Sequence, residues 1–341
     1  MKNIRRFETT AEMESAVLED VSVSYNVETG GVVAVNKPSI IDNSTMYTTF
    51  EALEDGVFSF VKKTPGDDIQ YSKDNGSTWV SGEEVSVVTG DRVLWKSTIR
   101  PSSNGIGKFY STNKFNVSGN IMSLLYGDDF KGQTSLEGKE YVFNKLFNGN
   151  SGLIDASNLI LPATTLANRC YIYMFSGCTS LTTAPELPAT TLAIYCYSGM
   201  FQGCTSLTTA PELPATTLVN YCYENMFLGC SSLTTAPELP ATTLANYSYR
   251  GMFQGCTSLT TSPKLPATTL TFCCYQDMFF GCTSLNHITM LATDISAYNC
   301  LTYWVGSVSP TGTFVKHPDM TSLPTGVSGI PDGWTVEDAV L

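Results

Sequence analysis

The chain has 341 residues, 43% hydrophobic and only 15% charged, enough for two or three domains and a sizeable core. Its 31 acidic and 19 basic side chains give a net charge of -12, which argues against nucleic acid and against an anionic membrane surface, because both need clustered Lys and Arg. Beyond residue 146 the basic residues are only Arg169, Arg250, Lys264 and Lys316, so that surface must be built mostly from Thr, Ser, Asn and Tyr.

Residues 1–46 read as a separate attachment segment. Met1-Lys2-Asn3-Ile4-Arg5-Arg6 starts positive, but no apolar run follows, and Glu8, Glu12, Glu14, Glu19 and Asp20 argue against an ordinary signal peptide. No stretch of about 18 apolar residues exists, so no membrane span is expected, and the chain should stay where it is made. Phe7 to Leu18 carries a weak short-helix pattern. Val21 to Tyr25 alternates as a strand, Thr29-Gly30-Gly31 turns, Val32 to Val35 returns, and Pro38 closes the unit.

Residues 47–118 read as a small β-sandwich-like domain. Phe58–Val61, Ile69–Ser72, Glu84–Val88, Arg92–Trp95 and the stretch Phe109 to Val117 are strand-like, and Gly66, Asn75-Gly76, Gly82 and Gly90-Asp91 punctuate them. Ser72-Lys73-Asp74-Asn75-Gly76-Ser77-Thr78-Trp79 resembles the Asp-box hairpin of sialidase-type propellers, where the box is structural. One box cannot make a propeller, so a stiff turn is the main reading and a glycan-binding sandwich the other. Residues 119–145 form a connector and N-terminal cap, with a short helix expected from Ile121, Leu124 and Leu125. Asp128 and Asp129 read as exposed turn residues rather than metal ligands.

From residue 146 to 305 the chain repeats a 26-residue word. Cys178-Thr-Ser-Leu-Thr-Thr-Ala-Pro-Glu-Leu-Pro-Ala-Thr-Thr-Leu192 returns at Cys204–Leu218, and at Cys230–Leu244 with Ser231 for Thr. A unit this short cannot bury its own apolar face, so it must stack on its neighbours as a solenoid. Strict columns run through Met174-Phe175, Gly177-Cys178 and Leu161-Pro162 at the same period, with eroded copies at Leu146–Leu153 and at Trp304-Val305. Leu181, Leu187 and Leu192 and their equivalents supply an interior, Phe175 and its column fill the far side, and Gly177 and its column allow positive φ or close approach.

The eleven cysteines fall mainly into two columns, Cys178 onward and Cys170, Cys196, Cys222, Ser248, Cys274, Cys300. A ladder of buried thiols is the simplest reading. Disulfides between neighbouring copies are the second, weakened by Ser248 and by the odd count. Zinc is the third, without any Cys-x-x-Cys or Cys/His cluster to support it. The Thr-Thr columns that begin at Thr164-Thr165 and Thr182-Thr183 read as satisfied turn hydroxyls rather than an ice-binding plane. Three columns differ between copies and are expected to be exposed. One carries Arg169, Tyr195, Tyr221, Tyr247 and Cys273, one carries Ile172-Tyr173, Ser198-Gly199, Glu224-Asn225, Arg250-Gly251 and Gln276-Asp277, and one carries Ser176, Gln202, Leu228, Gln254 and Phe280. Tyr195, Tyr221 and Tyr247 are the candidate binding residues, an aromatic strip suited to sugar rings or a protein, with plain coverage of the copy edge as the competing reading.

Phe-x-Gly-Cys-x-Ser-Leu followed by Leu-Pro resembles the bacterial-surface type of leucine-rich repeat found in Bacteroides and treponeme surface proteins. That resemblance implies a short strand before the Pro and a helical or irregular returning arc. The fold expected is therefore mostly β with irregular or short helical arcs, a leucine-rich-repeat solenoid of 26-residue coils preceded by the sandwich-like domain. Residues 306–341, with Trp304–Lys316 and Gly329–Val336, resemble the C-terminal closing module of proteins encoded by gut Bacteroidales and their phages, a cap with a hairpin. Phe7–Glu12 and the hairpin after it resemble N-terminal segments of virion surface proteins of such phages.

Nothing in the sequence nominates an enzyme, a cofactor or a metal. The two His, His287 and His317, sit in no nucleophile–base arrangement, and no phosphate-binding Gly loop occurs. The expected function is a non-enzymatic phage virion structural protein, a head or tail fibre or decoration component located on the virion. It would bind other virion proteins through its N-terminal segment and a host surface protein or glycan through its repeats, as a homo-oligomer. The alternative is a bacterial cell-surface leucine-rich-repeat adhesin or glycan-binding protein.

Overall fold

The computed structural model describes residues 4–6, 21–26, 31–36, 45–63, 68–102 and 105–340. The chain divides into two compact units, Met1–Asp42 and Asn43–Leu341. The first contains β1 (Ile4–Arg6), β2 (Val21–Asn26) and β3 (Gly31–Asn36) in the order β1-β3-β2, with both pairings antiparallel. The β2–β3 hairpin is the one expected from the alternation. β1 gives no such signal, because Ile-Arg-Arg has no alternating pattern. The helix expected over Phe7–Leu18, the turn residues Thr29 and Gly30, and Pro38 lie outside the described residues.

The second unit opens with two facing sets of strands. β5 (Gly56–Lys62), β8 (Glu84–Val87) and β10 (Gly107–Ser111) make a three-stranded antiparallel sheet. β4 (Thr48–Ala52), β6 (Ile69–Ser72), β7 (Val80–Ser81), β9 (Arg92–Ser97) and β11 (Phe115–Asn120) belong to a six-stranded one. The stretch expected as one strand from Phe109 to Val117 is thus two strands in different sheets. β4 escapes sequence pattern because Thr48, Thr49 and Phe50 are all buried, which erases alternation. Phe50 lies at the centre of this core, against Phe58, Phe109, Phe115 and Phe147.

The sixth strand of that sheet is β12 (Leu153–Ile160), which pairs parallel with β11 from Phe115↔Leu153 to Asn120↔Ile160. Its other side faces the repeat: Thr182 N donates to Ile154 O at 2.9 Å and Ala156 N to Thr183 O at 3.1 Å. One strand therefore belongs to both the sandwich sheet and the first copy. Between them, α1 (Ser123–Tyr126) and a 3-10 turn (Gly127–Phe130) bury Leu124, Leu125 and Phe130 where the cap helix is expected.

Within residues 168–178 the backbone amides alternate between two partners. Arg169, Tyr171, Tyr173, Phe175 and Gly177 donate to Ile194, Cys196, Ser198, Met200 and Gln202 of the next copy, at 2.7–3.1 Å. The intervening Cys170, Ile172, Met174, Ser176 and Cys178 donate to the residue three earlier, at 3.0–3.3 Å. Half the amides thus behave as in a sheet and half as in a run of tight turns. Every fourth residue takes a left-handed backbone, with φ of 58° at Arg169, 54° at Tyr173 and 75° at Gly177. Gly177 is needed for that φ and not for space, because a Cβ there would sit 3.5 Å from Gly149 Cα, an ordinary contact. The arc is neither helix nor strand, and single residues such as Thr209↔Thr235 and Thr217↔Thr243 carry the remaining copy-to-copy bridges. The strand implied before Leu-Pro forms only at the ends, as β12 and β13 (His287–Met290).

The Met, Phe, Cys and Leu columns are buried, and the aromatic columns stack ring on ring. Phe147, Phe175, Phe201, Phe227, Phe253 and Phe279 repeat at 5.3–5.7 Å with planes within 11°. Phe109 of the sandwich stacks on Phe147 at 5.8 Å, so the two cores are continuous. A second ladder runs from Tyr171 through Tyr197, Tyr223 and Tyr249 to Tyr275 at 5.7–6.1 Å. Each Phe ring contributes roughly 1.5–3 kcal/mol by leaving water.

All eleven thiols are buried and free. In the Gly-Cys column the thiol donates to a Phe carbonyl of the preceding copy: Cys178 to Phe147, Cys204 to Phe175, Cys230 to Phe201, Cys256 to Phe227 and Cys282 to Phe253, at 3.0–3.2 Å. The second column makes no such bond to a Phe carbonyl of the preceding copy; Cys196 Sγ lies 3.9 Å from Cys222 O, and Cys300 donates to Ile295 O of its own copy at 3.2 Å. It tolerates Ser248, whose hydroxyl is buried without a protein partner, as are those of Tyr171 and Tyr223.

At the far end β13, β14 (Thr313–Lys316) and β15 (Thr335–Asp338) form a parallel sheet in place of the expected hairpin. The chain keeps the direction of the copies before it, and the Trp304 and Trp334 indoles lock the connections by donating to Gly329 O and Ser309 O at 2.9 and 2.8 Å. Overall the described residues are mostly β in several sheets, with no closed barrel.

Two glycines separate backbone demand from packing demand. Gly199 has φ of 61°, and a Cβ there would lie 2.2 Å from Tyr173 Cε1. Gly177→Ala should cost about 1–2 kcal/mol for its left-handed backbone alone. Gly199→Ala should cost about 1–3 kcal/mol more, because the ring must also move. Urea unfolding of the two variants checks this; equal losses would remove the packing role of Gly199.

Candidate binding surface

Tyr195, Tyr221 and Tyr247 occupy the first left-handed position of successive arcs, with φ of 58°, 62° and 58°. Non-glycine residues hold this conformation only when their surroundings impose it, and here two of the three amides are fixed to the next copy: Tyr221 N donates to Asn246 O at 3.1 Å and Tyr247 N to Phe272 O at 3.0 Å. The three side chains are half-buried and come together as one ladder, with centroids 4.3 and 4.4 Å apart and planes within 13°. The Arg169 guanidinium caps one end, 4.7 Å over Tyr195 and 5.4 Å from the Tyr141 ring. At the other end Phe272 meets Tyr247 edge-on at 5.1 Å, and the exposed Tyr298 stacks on Phe272 at 5.6 Å.

This geometry changes what the strip can do. A sugar ring stacks on an open aromatic face, but these faces cover one another and both ends are occupied. What remains accessible is a line of ring edges and hydroxyls. Burial, then the neighbouring Tyr221 phenol, holds the Tyr195 hydroxyl above its usual range and so keeps it a neutral donor. Tyr141, Phe272 and Tyr298 belong to the ladder and are missed in sequence. Phe272 enters from the neighbouring column, because the Tyr position is there Cys273, which is buried.

The second variable column is not exposed as expected. Ser198, Gly199 and Gly251 are buried, and Glu224 is half-buried with its side chain 12% exposed. Arg250 Nη1 donates to Glu224 Oε1 at 3.2 Å, and Ser198 Oγ lies 3.5 Å from Oε2. Burial raises the Glu224 and Asp277 carboxyls above the ordinary range and Arg250 opposes it. Gly199 fits under Tyr173, and Gly251 faces Asn225, whose Oδ1 would lie 2.2 Å from a Cβ there. Differences between copies in this column are thus packing between neighbours. In the third column Ser176, Gln202, Leu228 and Gln254 are half-buried and only Phe280 is exposed, its ring covering Gly306.

The Asp-box is a closed turn. Asp74 Oδ1 accepts from Thr78 N at 2.8 Å and Ser72 Oγ at 2.7 Å, Oδ2 accepts from Thr78 Oγ1 at 2.6 Å, and Asn75 and Gly76 are left-handed. Trp79 packs at 4.8 Å against Tyr47, with Lys96 Nζ 4.2 Å from its ring. Lys96 and the Tyr47 hydroxyl both bond Asp128, which ties the 3-10 turn to the sandwich. Asp128 and Asp129 are exposed, and among the described residues no group of three His, Cys, Asp or Glu is placed to hold a metal. His287 Nε2 lies 3.5 Å from Thr289 Oγ1, and His317 Nδ1 accepts from Asp319 N at 3.1 Å. No helix among the described residues is long and apolar enough to cross a membrane.

The hydrogen bonds from Thr78 and Ser72 hold the Asp74 carboxyl at about 2, below its ordinary 3.8. A depressed folded value stabilises fully above 3.8, and that contribution disappears as pH falls toward about 2. Asp74→Asn should therefore lower the unfolding midpoint at neutral pH, and the gap from the parent should close across that acidic window. A gap that is constant with pH would assign the effect to shape rather than charge.

Comparison of the chain with protein-family models, with curated proteins and with solved structures finds no match.

Proposed function

We propose that residues 146–305 are a leucine-rich-repeat solenoid of the bacterial-surface type, and that its returning arcs bind a host surface protein or glycan through the phenol edges of Tyr195, Tyr221 and Tyr247. The observation that carries this reading is the division of the copies. The Leu, Phe, Met and Cys columns are buried, while the Tyr column, held in a left-handed backbone, presents a half-exposed line of hydroxyls flanked by Arg169. Tyr and Arg are the side chains most often dominant in interfaces, because they bring large rigid area and directed donors.

Replacing all three by Phe keeps the stack and removes the hydroxyls. Binding of the purified protein to Bacteroidales cells, read by co-sedimentation, should weaken about tenfold, the loss of several modest hydrogen bonds. Unchanged binding, with circular dichroism as for the parent, would return the ladder to a role in covering the edge.

We further propose that the chain is a non-enzymatic virion structural protein of a phage, with the Met1–Asp42 unit joining other virion proteins. The separation of that small three-stranded unit from the rest of the chain supports an attachment role. Mass spectrometry of purified particles alongside host outer membranes should find the chain in particles, and removal of residues 1–46 should abolish its incorporation. Recovery only in outer membranes would favour the adhesin reading, and normal incorporation of the shortened chain would end the attachment role.

A further inference from the structure

Outside the arcs, three consecutive copies carry Ala-Pro-Glu-Leu-Pro, at residues 184–188, 210–214 and 236–240, and the next carries Ser-Pro-Lys-Leu-Pro at 262–266. Between the first two of these lies a groove of about 440 Å³ lined by Ala184, Pro185, Leu187, Ala210, Pro211 and Pro214 and bordered by Glu186 and Glu212. The prolines explain the groove. Pro185, Pro188, Pro211 and Pro214 have no N–H to give to a neighbouring copy, and each holds the residue before it extended. Among the described residues no backbone hydrogen bond joins residues 184–190 to residues 210–216. Copies that are knitted together along the arc therefore part at this segment. The parting ends at the fourth such segment, where Leu265 N donates to Thr289 O and Leu291 N donates to Leu265 O, both at 2.9 Å.

Charge is ordered along the same row. Glu186, Glu212 and Glu238 hold one position in consecutive copies, all exposed, and no cation is paired with any of them among the described residues. Ile160 precedes the row and Lys264 ends it. The Phe rings repeat from copy to copy at 5.5–5.7 Å in this region. That is near the roughly 6.6 Å between alternate side chains of an extended chain. The surface is rich in acceptors and poor in donors: three carboxylates along a wall of prolines. Lys and Arg side chains carry donors only.

We propose that this groove is a docking site for an extended, Lys- or Arg-bearing segment of a partner protein, lying along the stack with basic side chains on Glu186, Glu212 and Glu238. The proposal does not depend on the Tyr ladder, whose residues lie in the arcs and contribute none of the groove. The attraction is between exposed charges, so binding should be salt-sensitive.

The test uses the full chain and a fluorescein-labelled peptide of alternating Lys and Thr, eight residues long, with anisotropy as the readout. E186Q/E212Q/E238Q should weaken binding about tenfold, the combined effect of three exposed pairs. E84Q/E137Q/E337Q removes the same net charge from exposed sites elsewhere and should change binding less than about twofold. Equal losses in the two triple variants would overturn the proposal in favour of unspecific attraction to an acidic protein. No measurable binding by the parent chain at low salt, or no loss in the groove variant, would overturn it outright. Triple replacement of Tyr195, Tyr221 and Tyr247 by Phe should leave peptide binding unchanged, which keeps this outcome separate from that of the arc reading.

Discussion

Apart from Tyr195, every second amide of the arc is committed to the copy that follows. That single pattern sets the rest. It fixes the step between copies, and the step brings Phe on Phe and Tyr on Tyr at stacking distance. It leaves the intervening amides to close tight turns, which places a left-handed residue every fourth position. A continuous helix would satisfy its amides internally and give nothing to a neighbour. A strand would share its amides between the copies on either side but could not curve so tightly. The alternation does both within ten residues, and neither the ring ladders nor the thiol bonds could form without it.

The thiol column follows from the same geometry. The Phe175 carbonyl accepts from Cys178 N within its own copy and from Cys204 Sγ of the next. A small side chain with a weak donor suits a fully apolar site in which a hydroxyl would demand more. Burial pushes the Cys178, Cys230 and Cys282 thiols up to about 12, so they remain protonated and poor nucleophiles at neutral pH. Cysteine is here a packing residue that also satisfies a carbonyl, which its repetition alone does not reveal.

The period, the left-handed Gly column, the buried Leu, Phe and Cys columns and most of the sandwich strands can be read from the sequence, because each rests on local pattern or exact recurrence. What escapes it depends on partners distant in sequence. β12 joins the sandwich sheet because Phe115 to Asn120 lies beside it. β4 buries Thr48, Thr49 and Phe50 in succession and so has no clean alternation to read. Tyr195, Tyr221 and Tyr247 can be picked out as a strip, but their mutual coverage comes from the 4.3–4.4 Å step between rings, and a list of columns contains no distances. Variable residues at Ser198-Gly199 and Arg250-Gly251 suggest exposure, since recurrence is the only constraint visible in sequence. Their constraint is complementarity to the neighbouring copy.

That complementarity bears on how a nearly periodic chain finds a single alignment. Identical words could pair out of step by a whole period with almost no loss in the Leu and Phe columns. The position that runs Tyr173, Gly199, Asn225, Gly251, Asp277 alternates large with small, so each bulky side chain has a vacant site only in its proper neighbour. A shift by one period would set bulk against bulk, as Tyr173 against Asn225, and leave glycine against glycine between them. The glycines thus favour the alignment in which Tyr173 meets Gly199 and Asn225 meets Gly251.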